Sequence, residues 1–219
     1  MGEERKMRII SVLPEHEAFA NSYLLIDEET SEAVYIDPGY FLDNAVNAIK
    51  NSGARVKYLL LTHGHFDHIL GAHAAKETLG AKIAIHPEDE KCLSSRLYSL
   101  MDTFDVDAEI FPEKADFYII DGDVIEFGNS KLKVMHTPGH TPGGVCFISE
   151  RDRVIFSGDT LFHSTAGRTD CIGGNFEELC ASLKKLISLE GNYTVYPGHS
   201  IATDLDHERK RNFIIRRMK

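Results

Sequence analysis

Four potential metal ligands fall within six consecutive positions, in the segment HGHFDH at residues 63–68. The segment follows the apolar run Tyr58–Leu61, which is typical of a buried strand, so it stands where a strand ends and a loop begins. Imidazole nitrogen and carboxylate oxygen suit zinc, iron or manganese. Surface or helix-capping positions would explain one such residue more readily than four close together. The segment therefore predicts a metal site at a strand end.

Three further candidate ligands each follow an apolar strand. His140 lies in VMHTPGHTPGG, Asp159 in VIFSGDT and His199 in VYPGHS. Because strand ends converge on one edge of stacked sheets, we expect these residues to join the HGHFDH segment in one site. Each is a weak signal alone, but together they give more ligands than one ion needs. Two divalent ions are predicted, with zinc the first choice and iron or manganese the alternatives.

Short apolar strands alternate with a few amphipathic helices along the chain. NSYLLI and EAVYID predict a hairpin, and DFYII, DVIEF, KLKVMHT, GVCFIS and RVIFSGD predict consecutive strands. Helices are predicted over Tyr40–Gly53, Asp67–Leu79, Pro87–Met101 and Asn175–Leu189, and from about Asp204 onward. Two mixed sheets, each covered by helices on its outer face, would bury the apolar faces of all these elements. The expected fold is α/β (α+β), in one domain over residues 1–219.

Composition excludes several classes of function. The 34 acidic and 24 basic residues give a net charge of -10, which disfavours nucleic-acid binding. The N-terminal segment is too short and too polar for a signal peptide or a membrane span. The four scattered cysteines predict a reduced, cytoplasmic protein. We expect a small molecule as the binding partner, with no nucleic acid and no membrane; the oligomeric state is not predicted.

These motifs resemble those of the metallo-β-lactamase superfamily, and within it the glyoxalase II, or hydroxyacylglutathione hydrolase, group. The resemblance covers nearly the whole chain and implies a four-layer αββα sandwich. It implies that His63, His65 and His140 hold the first metal and that Asp67, His68 and His199 hold the second. It also implies that Asp159 bridges both ions, so Asp67 and Asp159 are the candidate catalytic residues.

Two close divalent cations can lower the pKa of a shared water towards neutrality, which supplies hydroxide at physiological pH. Attack of this metal-bridging hydroxide on a thioester carbonyl needs no serine or cysteine nucleophile. A thiolate with a pKa of about 8.5 then leaves with little acid assistance. The predicted function is therefore a metal-dependent hydrolase for a thioester such as a hydroxyacyl-glutathione.

Three other residues have candidate roles beside the metals. Asp37 in IDPGY either starts a turn or, as the resemblance implies, orients the metal-bearing loop; we favour the second. Arg168 in GRTD either binds a substrate carboxylate or pairs with Asp170 to brace its loop. His163 either lines the pocket or is an exposed loop histidine.

The chain departs from glyoxalase II proper in three places. Asp170 and Ile201 stand where that group has aromatic contacts to glutathione. Beyond about Asp204 we expect no counterpart of its C-terminal helical domain. We therefore expect a less selective thiol site.

Alternative functions remain open. One is a persulfide dioxygenase with a single iron held by His63, His140 and Asp159, which stays open because GRTD resembles a segment of both short glyoxalase II-like proteins and persulfide dioxygenases. Another is an ester or lactone hydrolase of the same superfamily. A third interpretation treats the metals as structural, although no cysteine-rich structural zinc pattern is present.

Overall fold

The computed structural model describes residues 7–14, 19–40, 43–108 and 114–218. The first half of the chain contains six strands, three α-helices and one 3₁₀ helix: β1 (Met7–Val12), β2 (Ser22–Asp27), β3 (Glu32–Ile36), α1 (Asp43–Ser52), β4 (Arg55–Leu60), α2 (Phe66–Ile69), α3 (Ala72–Leu79), β5 (Lys82–Ile85), the 3₁₀ helix (Pro87–Ser94) and β6 (Phe117–Tyr118). The second half continues with β7 (Val124–Phe127), β8 (Ser130–His136), β9 (Val145–Ser149), β10 (Val154–Gly158), β11 (Leu161–Phe162), β12 (Thr165–Ala166), α4 (Phe176–Ile187), β13 (Thr194–Pro197), β14 (Thr203–Asp204), α5 (Leu205–Arg211) and α6 (Phe213–Arg217).

The strands form two six-stranded mixed sheets and one small hairpin. The first sheet has the order β1-β2-β3-β4-β5-β6, and the second has the order β14-β13-β10-β9-β8-β7. In the first sheet β1, β2 and β3 pair antiparallel, and β3 to β6 pair parallel. In the second sheet the one parallel pair joins β10 to β13. The predicted hairpin from NSYLLI to EAVYID is confirmed as β2–β3.

Both faces of each sheet are buried, which defines the four layers. In β2, Leu24 packs towards α1 and α3, whereas its neighbour Leu25 packs between the two sheets. In the second sheet, Phe147 faces the first sheet and Ile148 faces α4. Because successive side chains of a strand point to opposite faces, continuous apolar strands are what an αββα sandwich needs. The predicted fold class is confirmed.

Three predicted helices have different forms. The chain bends after α2, since the Gly71 N–H donates to the carbonyl of Gly39 at 3.2 Å, and α3 starts afresh. Pro87–Met101 forms a 3₁₀ helix followed by turns, because Asp89, Cys92 and Leu93 all turn inward over this short piece. The C-terminal helix is split at Asn212, whose side chain caps α6. Residues 41 and 42 of the predicted helix Tyr40–Gly53 lie outside the described ranges.

The sequence prediction did not include four strands, namely the six-residue β1 and the two-residue β11, β12 and β14. β11 and β12 form the small hairpin, joined by the two-residue turn His163–Ser164. None of the helices in the described ranges combines the length and apolar character needed to cross a bilayer. All four cysteines are free thiols.

Candidate metal centre and substrate cavity

The candidate ligands meet where the two sheets come together at one edge. β4 ends just before Thr62, whose carbonyl accepts a hydrogen bond from the N–H of Val145 in the second sheet at 2.8 Å. β10 and β13 end side by side, with the Gly198 N–H donating to Gly158 at 2.8 Å. The loops that follow these strands therefore lie next to one another at this edge. The structure brings together all seven residues proposed as ligands, here called the metal cluster: His63, His65, Asp67, His68, His140, Asp159 and His199.

Within the metal cluster, the ligand atoms form three overlapping groups. One group is His63, His65 and His140, and another is Asp67, His68 and His199. Asp159 joins His63 and His68 in the third. In each group the nitrogen and oxygen atoms lie within 4.8 Å of one another. The geometry thus offers two adjacent positions for a cation, with Asp159 between them.

Several buried atoms of the metal cluster have no hydrogen-bond partner. These atoms are the Nε2 atoms of His63, His65, His68 and His140 and the Oδ1 atom of Asp159. A buried polar atom without a partner is costly, so this many in one place need an explanation. Imidazole nitrogens and a carboxylate turned towards one another are a donor set that zinc or iron accepts. The residues present therefore fit a pair of divalent cations.

Asp37, immediately after β3, forms hydrogen bonds that support the metal cluster. Its Oδ1 accepts the Thr62 backbone N–H at 2.7 Å, and its Oδ2 accepts the Thr62 hydroxyl at 2.6 Å. The same Oδ2 lies 2.8 Å from Nδ1 of His68, which leaves Nε2 of His68 directed into the metal cluster. Asp37 also has the left-handed φ of 50°, which aspartate adopts in turns. Both proposed roles of Asp37 are therefore visible, with the contact to His68 the one that orients a candidate ligand.

His140 is oriented in the same way by a backbone group. Its Nδ1 lies 2.7 Å from the carbonyl oxygen of Arg168, so Nδ1 carries the proton and Nε2 faces the metal cluster. Arg168 thus contributes to the site through its main chain, a role that the sequence does not reveal.

Asp89 is a supporting residue that sequence reasoning missed. Its buried carboxylate accepts the N–H of Gly64 at 3.1 Å, the N–H of Gly143 at 2.8 Å and the hydroxyl of Thr141 at 2.7 Å. It therefore ties the loop of His63 and His65 to the loop of His140. Burial raises the pKa of Asp89 in spite of these hydrogen bonds. The only sequence signal was an acidic run in PEDE, which does not indicate the residue that turns inward.

The electrostatics differ between the two groups of ligands. Burial and neighbouring histidines lower the pKa of His63 well below its usual value and that of His65 to about 3, so both imidazoles are neutral, as metal ligation requires. The pKa of His68 is raised well above its usual value. Burial alone would lower it, but the negative charges of Asp67, Asp37 and Asp159 together have the larger effect. Without metal, the second group is therefore an ion-paired cluster.

Close packing explains a glycine of the YPGH motif. A Cβ atom on Gly198 would lie 2.3 Å from Oδ1 of Asp159 and 2.6 Å from Cε1 of His68. Any side chain at this position would displace two candidate ligands, so only glycine fits before His199.

A cavity of about 800 Å³ opens onto the metal cluster. Its base is formed by His65, Asp67, His140, Asp159 and His199. Its sides are largely apolar, and we call six of the side chains there the apolar wall: Phe19, Phe66, Leu100, Phe104, Val106 and Phe162. A volume of this size is typical of a site for a small molecule.

The two tentative substrate-binding residues have different positions. Arg168 lines the cavity, but its Nε and Nη2 donate to Asp170 at 2.6 and 2.8 Å, so the loop-bracing pair is also present. His163 is not among the described residues that line the cavity; its ring stacks on His207 at 4.7 Å.

The β11–β12 hairpin, which carries Phe162 into the apolar wall, is fixed to the last helices. The Ser164 N–H donates to both carboxylate oxygens of Glu208 at 3.0 Å. The Asn212 amide donates to Thr165 at 2.8 Å and to Glu208 at 2.7 Å. Glu208 is fully buried, so these hydrogen bonds hold one side of the cavity in place.

Known proteins resemble this chain over most of its length. The sequence model of the metallo-β-lactamase superfamily matches residues 17–199. Hydroxyacylglutathione hydrolase GloC of Haemophilus influenzae is 32% identical over 207 residues, which cover 93% of this chain and 96% of that protein. Among solved structures, the BLEG-1 B3 metallo-β-lactamase has a TM-score of 0.89 at 29% identity and covers 95% of this chain and 99% of its own. TTHA1623, solved in a di-iron-bound form, has a TM-score of 0.81 at 31% identity over 93% of this chain and 98% of its own.

Proposed function

Because the chain belongs to the metallo-β-lactamase superfamily, whose members are usually metal-dependent hydrolases, we propose that it is a dinuclear metal hydrolase that cleaves thioesters. The observation that carries the proposal is the pair of adjacent ligand groups, in which four imidazole nitrogens and one oxygen of Asp159 are buried without a hydrogen-bond partner. The similarity to a hydroxyacylglutathione hydrolase supports a thioester as the substrate class.

The proposed ligands divide between two cations. His63, His65 and His140 would hold the first, and Asp67, His68 and His199 the second. Asp159 suits the bridging position, because Oδ1 lies 3.3 Å from Nε2 of His68 while Oδ2 lies 3.3 Å from Nε2 of His140. Two divalent cations held by these residues would lower the pKa of a bound water, so that it could act as the nucleophile, and would polarise the substrate carbonyl.

The protein's own residues provide orientation and a partly dry environment. Asp37 and the Arg168 carbonyl fix the rings of His68 and His140, so their Nε2 atoms stay directed into the metal cluster. The apolar wall reduces contact with water beside the reacting carbonyl, which strengthens electrostatic interactions there. The thiolate that leaves needs no protonating side chain, since its pKa is only about 8.5.

Metal analysis combined with turnover tests the proposal. Purified protein is loaded with zinc or with iron, its metal content is measured, and hydrolysis of S-lactoylglutathione is followed before and after chelation. We expect two ions per chain and a loss of more than about 1,000-fold in rate on chelation, since oxyanion stabilisation alone is worth about 10²–10³. Saturation at one iron per chain, with oxygen consumed on glutathione persulfide, would overturn it.

The persulfide dioxygenase stays the second candidate, with one iron held by His63, His140 and Asp159. Against it stands the intact group of Asp67, His68 and His199, which a single-iron enzyme would not need.

A further inference from the structure

Five of the six side chains of the apolar wall remain partly or largely exposed, whereas Leu100 is buried. Phe104 is 49% exposed although it lines the cavity, and its ring lies 6.0 Å from the ring of Phe66. Phe162 is half-buried, with its ring 6.0 Å from that of His199. Aromatic side chains that face an open cavity beside the proposed ligands gain free energy when an apolar group covers them.

Charged partners for a polar substrate are scarce in this cavity. Outside the metal cluster, Arg168 is the one charged side chain in the described lining, and Asp170 already engages two of its nitrogens. A glutathione group carries two carboxylates and one ammonium group. These charges would lose hydration against the apolar wall without gaining matched partners, which is costly.

We infer that the site takes thioesters with a large apolar group, aromatic or medium-chain alkyl, on one side of the carbonyl. This inference rests on the proposed function. The carbonyl lies at the metal cluster, and the apolar group covers the apolar wall. The cavity of about 800 Å³ is large enough for such a group.

Two substrate series test the inference on metal-loaded protein. In the first, the thiol is N-acetylcysteamine and the acyl group runs from acetyl through butanoyl to hexanoyl and benzoyl. In the second, the acyl group is acetyl and the thiol runs from ethanethiol through hexanethiol to benzyl mercaptan. We expect kcat/KM to rise up to about fourfold per added CH₂ in one series, the fold-change for a fully buried methylene. The series that rises identifies the side of the carbonyl that faces the apolar wall.

A pair of phenylalanine variants tests whether the preference for apolar substrates comes from the apolar wall or from apolar side chains elsewhere on the surface. Phe104→Ala should flatten the rising series, because the longer apolar groups lose the ring that they cover. Phe176→Ala is the matched control, because Phe176 is 56% exposed at the start of α4 and does not line the cavity. If both variants keep the wild-type slope, the apolar wall does not select the substrate and the inference fails.

Binding to the metal-free protein provides a readout that does not depend on turnover. Calorimetric titration with 4-phenylbutanamide should show binding with a negative heat-capacity change, weakened in Phe104→Ala and kept in Phe176→Ala. Cleavage of S-lactoylglutathione far above every apolar thioester would overturn the inference while the proposed function stands. If 4-phenylbutanamide binds but no thioester is cleaved, the proposed function fails and the preference for an apolar ligand holds for another carbonyl substrate.

Discussion

The base and the side of the cavity are built in opposite ways. The metal cluster comes from strand ends, is largely buried, and has individual hydrogen bonds behind its rings, as between His68 and Asp37. The apolar wall comes from loops and short elements, and its Phe104 and Phe66 contact each other only as neighbouring rings. A ligand set supported by hydrogen bonds resists substitution, whereas a wall of separate apolar side chains tolerates it. The base therefore fixes the chemistry, and the side is where specificity can change.

The largest effect should follow a change in the metal cluster itself. We expect Asp67→Ala to lower the metal content from two ions to one and kcat by about 100- to 1,000-fold. The fold should survive, because this carboxylate makes its hydrogen bond to another member of the metal cluster, His199, at 2.9 Å. Elemental analysis, turnover and circular dichroism check this, with Asp206→Ala as the control, because the Asp206 side chain is 51% exposed and lies outside the metal cluster. Full activity in Asp67→Ala would show that one ion suffices.

A change beneath the metal cluster should act on stability. Asp89→Ala leaves the N–H groups of Gly64 and Gly143 and the hydroxyl of Thr141 without their acceptor. We expect a loss of about 2–3 kcal/mol in the free energy of unfolding, which corresponds to a melting temperature lower by roughly 5–10 °C. Thermal unfolding of the metal-free protein measures it. An unchanged melting temperature would mean that the two loops hold their positions without Asp89.

An orienting residue should affect metal affinity more than turnover. Asp37→Asn replaces one acceptor oxygen by a donor, so the side chain cannot accept all three hydrogen bonds, from His68, the Thr62 hydroxyl and the Thr62 N–H. We expect affinity for the second ion to fall about 10- to 100-fold, with kcat largely recovered at saturating metal. Competition against a fluorescent chelator measures the affinity. Asp27→Asn, a buried aspartate bonded to Thr30 and Ser130, should leave it unchanged.

The smallest effect should come from the rim of the cavity. Arg168→Ala should raise KM about two- to fivefold for a thioester that carries a carboxylate, with little change in kcat, because the guanidinium is exposed and paired. Asp170→Ala should lower the same KM by freeing the guanidinium. A neutral thioester should respond to neither variant. Equal effects on neutral and anionic substrates would exclude charge recognition by Arg168.

The sequence predicted the base of the cavity far better than its side. HGHFDH and the isolated His140, Asp159 and His199 are recognisable because ligand-type residues at strand ends have few other uses. The residues of the apolar wall carry no such signal, since a phenylalanine at a cavity and one in the core look alike in sequence. Asp89 is equally hidden, because Glu88 and Glu90 beside it are also acidic and only the fold decides which side chain turns inward.

The hairpin anchor has a consequence for the order of events during synthesis. Glu208 lies 44 positions after Ser164, and His199 lies 132 positions after Asp67. Because translation delivers residues in order and early segments fold first, a nascent chain holds the histidines of HGHFDH long before either His199 or Glu208 exists. Completion of the ligand set and fixation of the hairpin both wait for the same late stretch of polypeptide. A chain stalled before that stretch therefore lacks one of the proposed metal ligands, and its β11–β12 hairpin lacks the hydrogen bonds to Glu208.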